Sequence, residues 1–282
     1  MEQVRLALPS GRIQQKLFSL FSDAGISIQQ SDRSYRPKIS LDGFDAKIFR
    51  SQNALEMLAI GKRDLAAAGA DWVQELNVDV VEVLDTGLDP VSIIVAASDE
   101  DLIKNKNKIV IASEYLNLSK YWAEKNNLQA TIIRSFGTTE SFPPEDSDCI
   151  VDNMATGATI AACNLCIIDT ILKSTTRLYA SKFALDNQSK RQRIEDLVLL
   201  LKSVLEARQR VVIEINVAAS FLDSVSSLLP AMKYPTISEL IGNSGFVVKA
   251  AVLKKDLVKL VPKIKQAGGT DIIVTSLTNV IP

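Results

Sequence analysis

Histidine is absent from all 282 residues. Ser-His-Asp and Cys-His mechanisms are therefore excluded, as is every histidine-ligated metal site. Cysteine is scarce: Cys149, Cys163 and Cys166 are the only three. The last two form a CxxC, but a lone CxxC without a second pair or a histidine does not readily close a zinc site. It reads as lying inside a helix rather than at a redox-type helix start, so all three are expected to be structural. No apolar run nears the roughly 20 residues a membrane span needs. The opening MEQVRLALPSGR lacks the apolar core and cleavage site of a signal peptide, so a soluble, cytoplasmic chain is expected. Neither GxGxxG nor GxxxxGKS/T occurs, which leaves dinucleotide and Walker-type loops unsupported. A surplus of one charge is missing too, with 32 Lys+Arg against 33 Asp+Glu. Bulk charge thus steers the chain to neither nucleic acid nor an anionic membrane.

What is present is a core. Hydrophobic residues make up 47% of the chain, and its length suggests about two domains. VRLALP (4–9) reads as a strand. Ile13, Leu17, Leu20 and Phe21 then recur at helical spacing, with Gly25 as the stop. KISL and AKIFR read as strands around an Asp42-Gly43 turn, and Ser51 as the cap of the helix QNALEMLAI. DLAAAG, VDVVEVL, VSIIVAA, IVIAS, ATIIRS and CIVD are strand-like, with NLSKYWAEKN a helix between two of them. Strands and helices taking turns imply an α/β fold with a largely parallel sheet. Residues 186–210 read as a long amphipathic helix. Beyond it the order β-α-β-β-α-β suits an appended ferredoxin-like α+β module of about 75 residues.

The most informative stretch is CIVDNMATGATIAACNL, residues 149–165. A strand ends in Asp152, a loop of small and hydroxyl residues follows, and an Ala-rich helix start comes next. Ligands of parallel sheets sit at the carboxyl ends of strands. Gly157 allows close backbone approach, Thr156 and Thr159 supply hydroxyls, and Asp152 is placed to accept from sugar hydroxyls. That makes a reasonable ribose 5-phosphate site. The same residues also fit a bare N-cap and turn, and physics alone divides the two readings evenly.

DCIVDNMATGATIAACNL resembles the phosphoribosyl-pyrophosphate loop of the long-form ATP phosphoribosyltransferases, the first enzymes of histidine biosynthesis. RLALPSGRI, FRSQNALEMLAIGKRDLAAAGADWVQEL, FGTTESFP, LLPAMKYPTISEL and AGGTDIIV resemble other segments of that family, in family order. The resemblance implies two periplasmic-binding-protein-like α/β lobes forming a cleft, plus an ACT-like regulatory domain. The first lobe would span 1–92, completed by 178–206, the second 93–177, and the regulatory domain 207–282. The implied reaction joins N1 of ATP adenine to the anomeric carbon of phosphoribosyl pyrophosphate and releases pyrophosphate, with Mg²⁺ neutralising the leaving group. By resemblance, Asp152, Ala155, Thr156, Gly157, Ala158 and Thr159 hold phosphoribosyl pyrophosphate. Arg12 and Arg50 sit near substrate phosphates, and Gly11, Gly69, Asp71 and Glu140 line the ATP side of the cleft. Asn216, Met232, Tyr234, Thr236 and Asp271 match a site for inhibitory histidine. Metal ligands are not indicated. Homo-hexamers, dimeric when uninhibited, are implied, with no nucleic-acid or membrane partner.

The chain departs from the family pattern at Ser10, where a lysine is common, at Ser113-Glu114-Tyr115, at Asn153 and at Ala158. The competing expectation is a non-catalytic paralogue acting as a histidine-responsive regulatory subunit, since fold does not fix function. Ser10 and Glu114 favour it, while the intact Asp152–Thr159 loop favours an active enzyme.

Overall fold

The computed structural model describes residues 2–31, 34–230 and 234–281, without the side chains of residues 103, 105 and 243. The chain divides into two compact units, Met1–Ser22 with Ile26–Val198, and Asp23–Gly25 with Leu199–Pro282.

The first unit contains β1 (Val4–Pro9), α1 (Arg12–Asp23), β2 (Ile28–Gln29), β3 (Lys38–Ile39), β4 (Phe44–Phe49), α2 (Ser51–Ala59), β5 (Leu65–Gly69), α3 (Ala70–Leu76) and β6 (Val81–Ala97). It continues with α4 (Leu102–Asn105), β7 (Lys108–Ser113), α5 (Leu116–Lys125), β8 (Gln129–Arg134), β9 (Cys149–Met154), α6 (Ala158–Ala162), β10 (Cys166–Ala180) and α7 (Lys182–Asp186). Eight strands form one sheet in the order β4-β1-β5-β10-β6-β9-β7-β8. β4, β1 and β5 are mutually parallel, as are β9, β7 and β8. Between these two parallel sets lie β6 and β10, antiparallel to each other. β1 and β5 are buried almost throughout, which is why they read as unbroken apolar runs rather than alternating ones. The mixed α/β class is as expected.

The expected lobe boundaries at 92/93 and 177/178 both fall inside strands, within β6 and β10. VDVVEVL and VSIIVAA, read as two strands, are one strand of 17 residues. The chain passes from one parallel set to the other along β6 and returns along β10. Five register shifts interrupt that pair, and each such bulge bends and twists a strand locally.

Two local expectations need correction. Ser51 is the first residue of α2 rather than its cap. Arg50 holds the cap position, with no side-chain capping bond. The Cys163–Cys166 pair is not inside a helix. α6 stops at Ala162, Asn164 adopts φ +54°, and Cys166 opens β10. Asn tolerates that left-handed turn, which ends the helix early.

α8 (Gln188–Gln209) contains the division between the units, eight residues before the expected 206/207 boundary. The second unit continues with β11 (Arg210–Val217), α9 (Leu222–Ser226), β12 (Thr236–Glu239), β13 (Phe246–Leu253), α10 (Leu257–Gln266) and β14 (Gly269–Ser276). Its sheet runs β12-β13-β11-β14, antiparallel throughout, the ferredoxin-like order. Strict alternation along β11 buries Val211, Ile213, Ile215 and Val217 against Val225, Leu260 and Ile264 of the helices. Among the described residues no helix is long and apolar enough to cross a membrane.

Candidate active site

In the first unit the expected cleft residues gather at the carboxyl ends of parallel strands. Gly11 and Arg12 follow β1, Arg50 follows β4, Gly69 ends β5 and Asp71 lies just beyond it, and Asp152 lies near the end of β9; Glu114, a departure from the family pattern, follows β7. This is where an open α/β sheet leaves room for a ligand, because loops and helix starts diverge there.

Three cavities lie along these ends. The first, about 260 Å³, is lined by Arg12, Glu140 and the continuous segment 152–160. Gly157 adopts φ +78°, a left-handed conformation that glycine reaches without steric cost. A Cβ there would also meet Met154 Sδ at 3.2 Å. The Ala158 amide points back at Thr156 Oγ1, 3.5 Å away. Thr138 at φ +51° turns the chain into the single helical turn Thr139–Ser141 that carries Glu140. The Ser135–Thr139 hydroxyl contact of 2.8 Å ties that turn to the end of β8.

Asp152 is electrostatically stressed. Burial, with the charges of Glu114 and Glu140, pushes its carboxyl up to about 6. Its Oδ1 accepts the Asn153 amide at 2.6 Å, which only partly offsets that rise. A carboxylate perturbed by burial and like charges in a cleft is a mark of a working site.

The second cavity, about 200 Å³, shares Arg12 and Asn153 with the first and adds Ser10, Gly69, Asp71, Trp72, Asp89, Tyr115 and Ser174–Thr176. Asp71 is buried, and both its oxygens are engaged: Tyr115 donates to Oδ2 at 2.8 Å and Ser174 to Oδ1 at 2.5 Å. Burial, followed by the charge of Asp71, raises the Tyr115 hydroxyl far above its ordinary range, so it stays a donor. The expectation of Asp71 as a cleft-lining residue thus acquires a precise form: it anchors a wall. Gly69 makes that wall possible, since a Cβ on it would sit 2.2 Å from Asp71 Oδ1. Trp72 stacks on Tyr115 with ring centroids 4.6 Å apart. Trp72 also borders the third cavity, about 360 Å³, which holds Arg50, Glu114 and Arg134. Arg50 and Arg134 side chains make no hydrogen bond or ion pair among the described residues. Gly11, at φ +81°, lines none of the three cavities and serves the turn from β1 into α1.

Asp89, Trp72 and Ser174–Thr176 belong to no local motif that marks them in the sequence, and Tyr115 stands out there only within the Ser113-Glu114-Tyr115 departure. The hydroxyl run Ser174-Thr175-Thr176, set in an otherwise strand-like segment, was the available signal. Among the described residues no group of three or more His, Cys, Asp or Glu could hold a metal.

The second unit treats its expected histidine site differently. Asn216 donates to Asp271 Oδ2 at 3.1 Å, and Asp271 sits at a bulge with φ +42°. Tyr234 and Thr236 are exposed at the opposite edge, on or before β12. At about 4.8 Å per strand, Thr236 is about 10 Å from β11 and about 14 Å from β14. One chain therefore does not bring this set together, because the strand order sends β12 and β14 to opposite edges. Met232 lies outside the described residues.

A polar cleft at strand ends, with arginines and hydroxyls and no histidine to serve as a base, suits an α/β enzyme whose chemistry rests on positioning anionic groups rather than on an acid–base side chain. A sequence profile described as ATP phosphoribosyltransferase matches residues 50–203, and one described as HisG, C-terminal domain matches residues 207–279. An ATP phosphoribosyltransferase of Pelotomaculum thermopropionicum is 34% identical over 288 residues, covering 99% of this chain and 100% of that one. One from Desulforudis audaxviator is 35% identical, with the same coverage. The chain belongs to the ATP phosphoribosyltransferase family, the glycosyltransferases of the first step of histidine biosynthesis. The fold also resembles a chain of the Thermotoga maritima ATP phosphoribosyl transferase (HisG:HisZ) complex. Its TM-score is 0.65 at 22% identity, over 72% of this chain and 99% of that one.

Proposed function

We propose that the first unit transfers the phosphoribosyl group of phosphoribosyl pyrophosphate to N1 of ATP adenine. The C1–O bond to pyrophosphate breaks as the C1–N1 bond forms, and pyrophosphate leaves. The observation that carries the reading is the first cavity, where segment 152–160 and Arg12 form a polar pocket of a size suited to a sugar phosphate. Thr156, Thr159 and the backbone of Ala155–Ala158 bind the 5-phosphate, and Asp152 accepts from the ribose hydroxyls. Arg12 faces the pyrophosphate, and Arg50 takes the ATP phosphates on the far side of Trp72. Such a substitution asks for charge stabilisation and alignment rather than a protein nucleophile, which a chain without histidine can supply.

Mg²⁺ would supply charge neutralisation on the leaving group. With no three-ligand cluster among the described residues, the ion fits best when held chiefly by substrate oxygens, with Asp152, Glu140 or Glu114 nearby. Cytoplasmic residence belongs to the same reading.

Histidine inhibition is proposed for the second unit. Asp271 lies on one edge strand of its sheet, with Asn216 beside it on β11, and Thr236 lies on the opposite edge strand, so a pocket using all three is best completed by a second copy of the chain. A homo-hexamer would provide it. The test is turnover with ATP, phosphoribosyl pyrophosphate and Mg²⁺, with and without histidine. Absence of product from folded protein, under conditions where a relative is active, would favour the regulatory-subunit alternative.

A further inference from the structure

Asp89 lies in β6 at φ +50°, a left-handed conformation unusual for a residue other than glycine. It is buried, and its two oxygens hold two cations from one face of α1. Arg12 Nε donates to Oδ2 at 2.9 Å, and Lys16 Nζ to Oδ1 at 2.6 Å. Arg12 and Lys16 are four residues apart, one helical turn, so both reach the same acid. Their side chains are 55% and 49% exposed, against 5% for Asp89. Arg12 borders both the first and second cavities, and among the described residues it has no other hydrogen bond or ion pair. Thr176 borders the second cavity as well, and its buried Oγ1 has no partner among the described residues.

Stability does not account for Asp89. Ion pairs to half-exposed cations contribute little, and the backbone there would be served better by glycine. A strained residue kept in a cleft points to a task. The cluster carries two positive charges and one negative, leaving a net positive charge beside the first cavity. With Nε bound to Asp89, the other edge of the planar guanidinium remains available for a bidentate anion contact.

We propose that Asp89 is a positioning residue: it fixes Arg12 by its Nε edge, with Lys16 alongside, so that the free edge of Arg12 meets the pyrophosphate group of the substrate. The proposal rests on the reading of the first cavity as the phosphoribosyl pyrophosphate site. Asp89→Gly removes the carboxylate while relieving the backbone. Its thermal midpoint is expected to equal or exceed that of the unaltered protein. Its affinity for inorganic pyrophosphate, by calorimetry, should fall about tenfold. The KM for phosphoribosyl pyrophosphate should rise similarly, with the KM for ATP within twofold. Arg12→Gln should weaken pyrophosphate binding strongly in the unaltered protein but by less than twofold in the Asp89→Gly background. Asp89→Asn keeps the turn and one acceptor, and should fall between the two. Unchanged pyrophosphate affinity in Asp89→Gly, or Arg12→Gln effects that simply add, would overturn the positioning role alone. Failure of the unaltered protein to bind pyrophosphate would overturn the cavity reading and the proposal with it.

Discussion

Asp71 lies just beyond the end of β5 and Asp152 near the end of β9, facing a common cleft, yet their surroundings are opposite. Asp71 has a hydroxyl donor on each oxygen and a glycine cut to fit beside it. Asp152 is partly buried near Glu114 and Glu140, and its donors, the neighbouring Asn153 and the Thr139 hydroxyl, only partly offset that burial and like charge. The β5 side is complete before any ligand arrives. The β9 side holds unfavourable charge that a ligand's hydroxyls or cations would relieve. One aspartate builds the wall, and the other, on the proposed function, is left to bind.

The largest test of that contrast is Asp152→Asn. Loss of a hydrogen bond to a charged group costs about 1.5–3 kcal/mol, so kcat/KM should fall by about 10- to 100-fold. Its stability should move the other way. Because burial raises the folded-state pKa to about 6, the unfolded chain ionises first as pH rises from about 4. Asp152 therefore costs stability progressively between pH 4 and 6, and fully above 6. Denaturant unfolding should show Asp152→Asn more stable by about 2–3 kcal/mol at pH 7, with the difference vanishing below about pH 3.

Gly69→Ala attacks the other wall. The new Cβ must displace Asp71 from Ser174 or Tyr115, and overpacking of this kind costs about 1–3 kcal/mol. Gly157→Ala is milder, about 1 kcal/mol from its positive φ, since the flexible Met154 thioether can yield. If the two variants shifted the thermal midpoint equally, the claim that one wall is more tightly built would fail. Tyr115→Phe removes one donor to the buried Asp71 carboxylate and should cost about 1.5–3 kcal/mol. The smallest effect on turnover is expected for Asn216→Ala with Thr236→Val. Histidine binding, by calorimetry, should disappear while uninhibited activity stays within twofold. Unchanged histidine affinity would place the inhibitor elsewhere.

The contrast between the walls also marks where sequence reading reached. β1, β5 and β9 are short apolar runs bounded by turn residues, and the residues expected at the cleft lie at or near their ends. β6 was split because Asp85, Gly87, Asp89 and Pro90 interrupt its apolar pattern, while pairing with β10 holds it as one strand. β10 was missed because a half-exposed, hydroxyl-rich strand carries little periodic signal. The loop 152–159 stands out in the sequence because its residues are contiguous, and the structure gathers them along one cavity. Tyr115, Ser174 and Asp89 were not, because their partners lie far away in sequence: 44 residues for Tyr115 and Asp71, 103 for Ser174 and Asp71, and 77 for Arg12 and Asp89.

β6 and β10 have a mechanical consequence. The chain crosses between the two parallel sets only along this hydrogen-bonded ribbon, so the sets cannot slide past one another without breaking its ladder. Their easy motion is flexure of the ribbon, concentrated at its bulges, where the ladder is already interrupted. Two of those bulges fall at Ser174–Arg177, beside Gly69 and Leu88. The compliant point of the protein is thus built into the floor of its own cleft. On the proposed function, a substrate held between Arg12 and the 152–159 loop would load that point directly, like a spring clip closed from within.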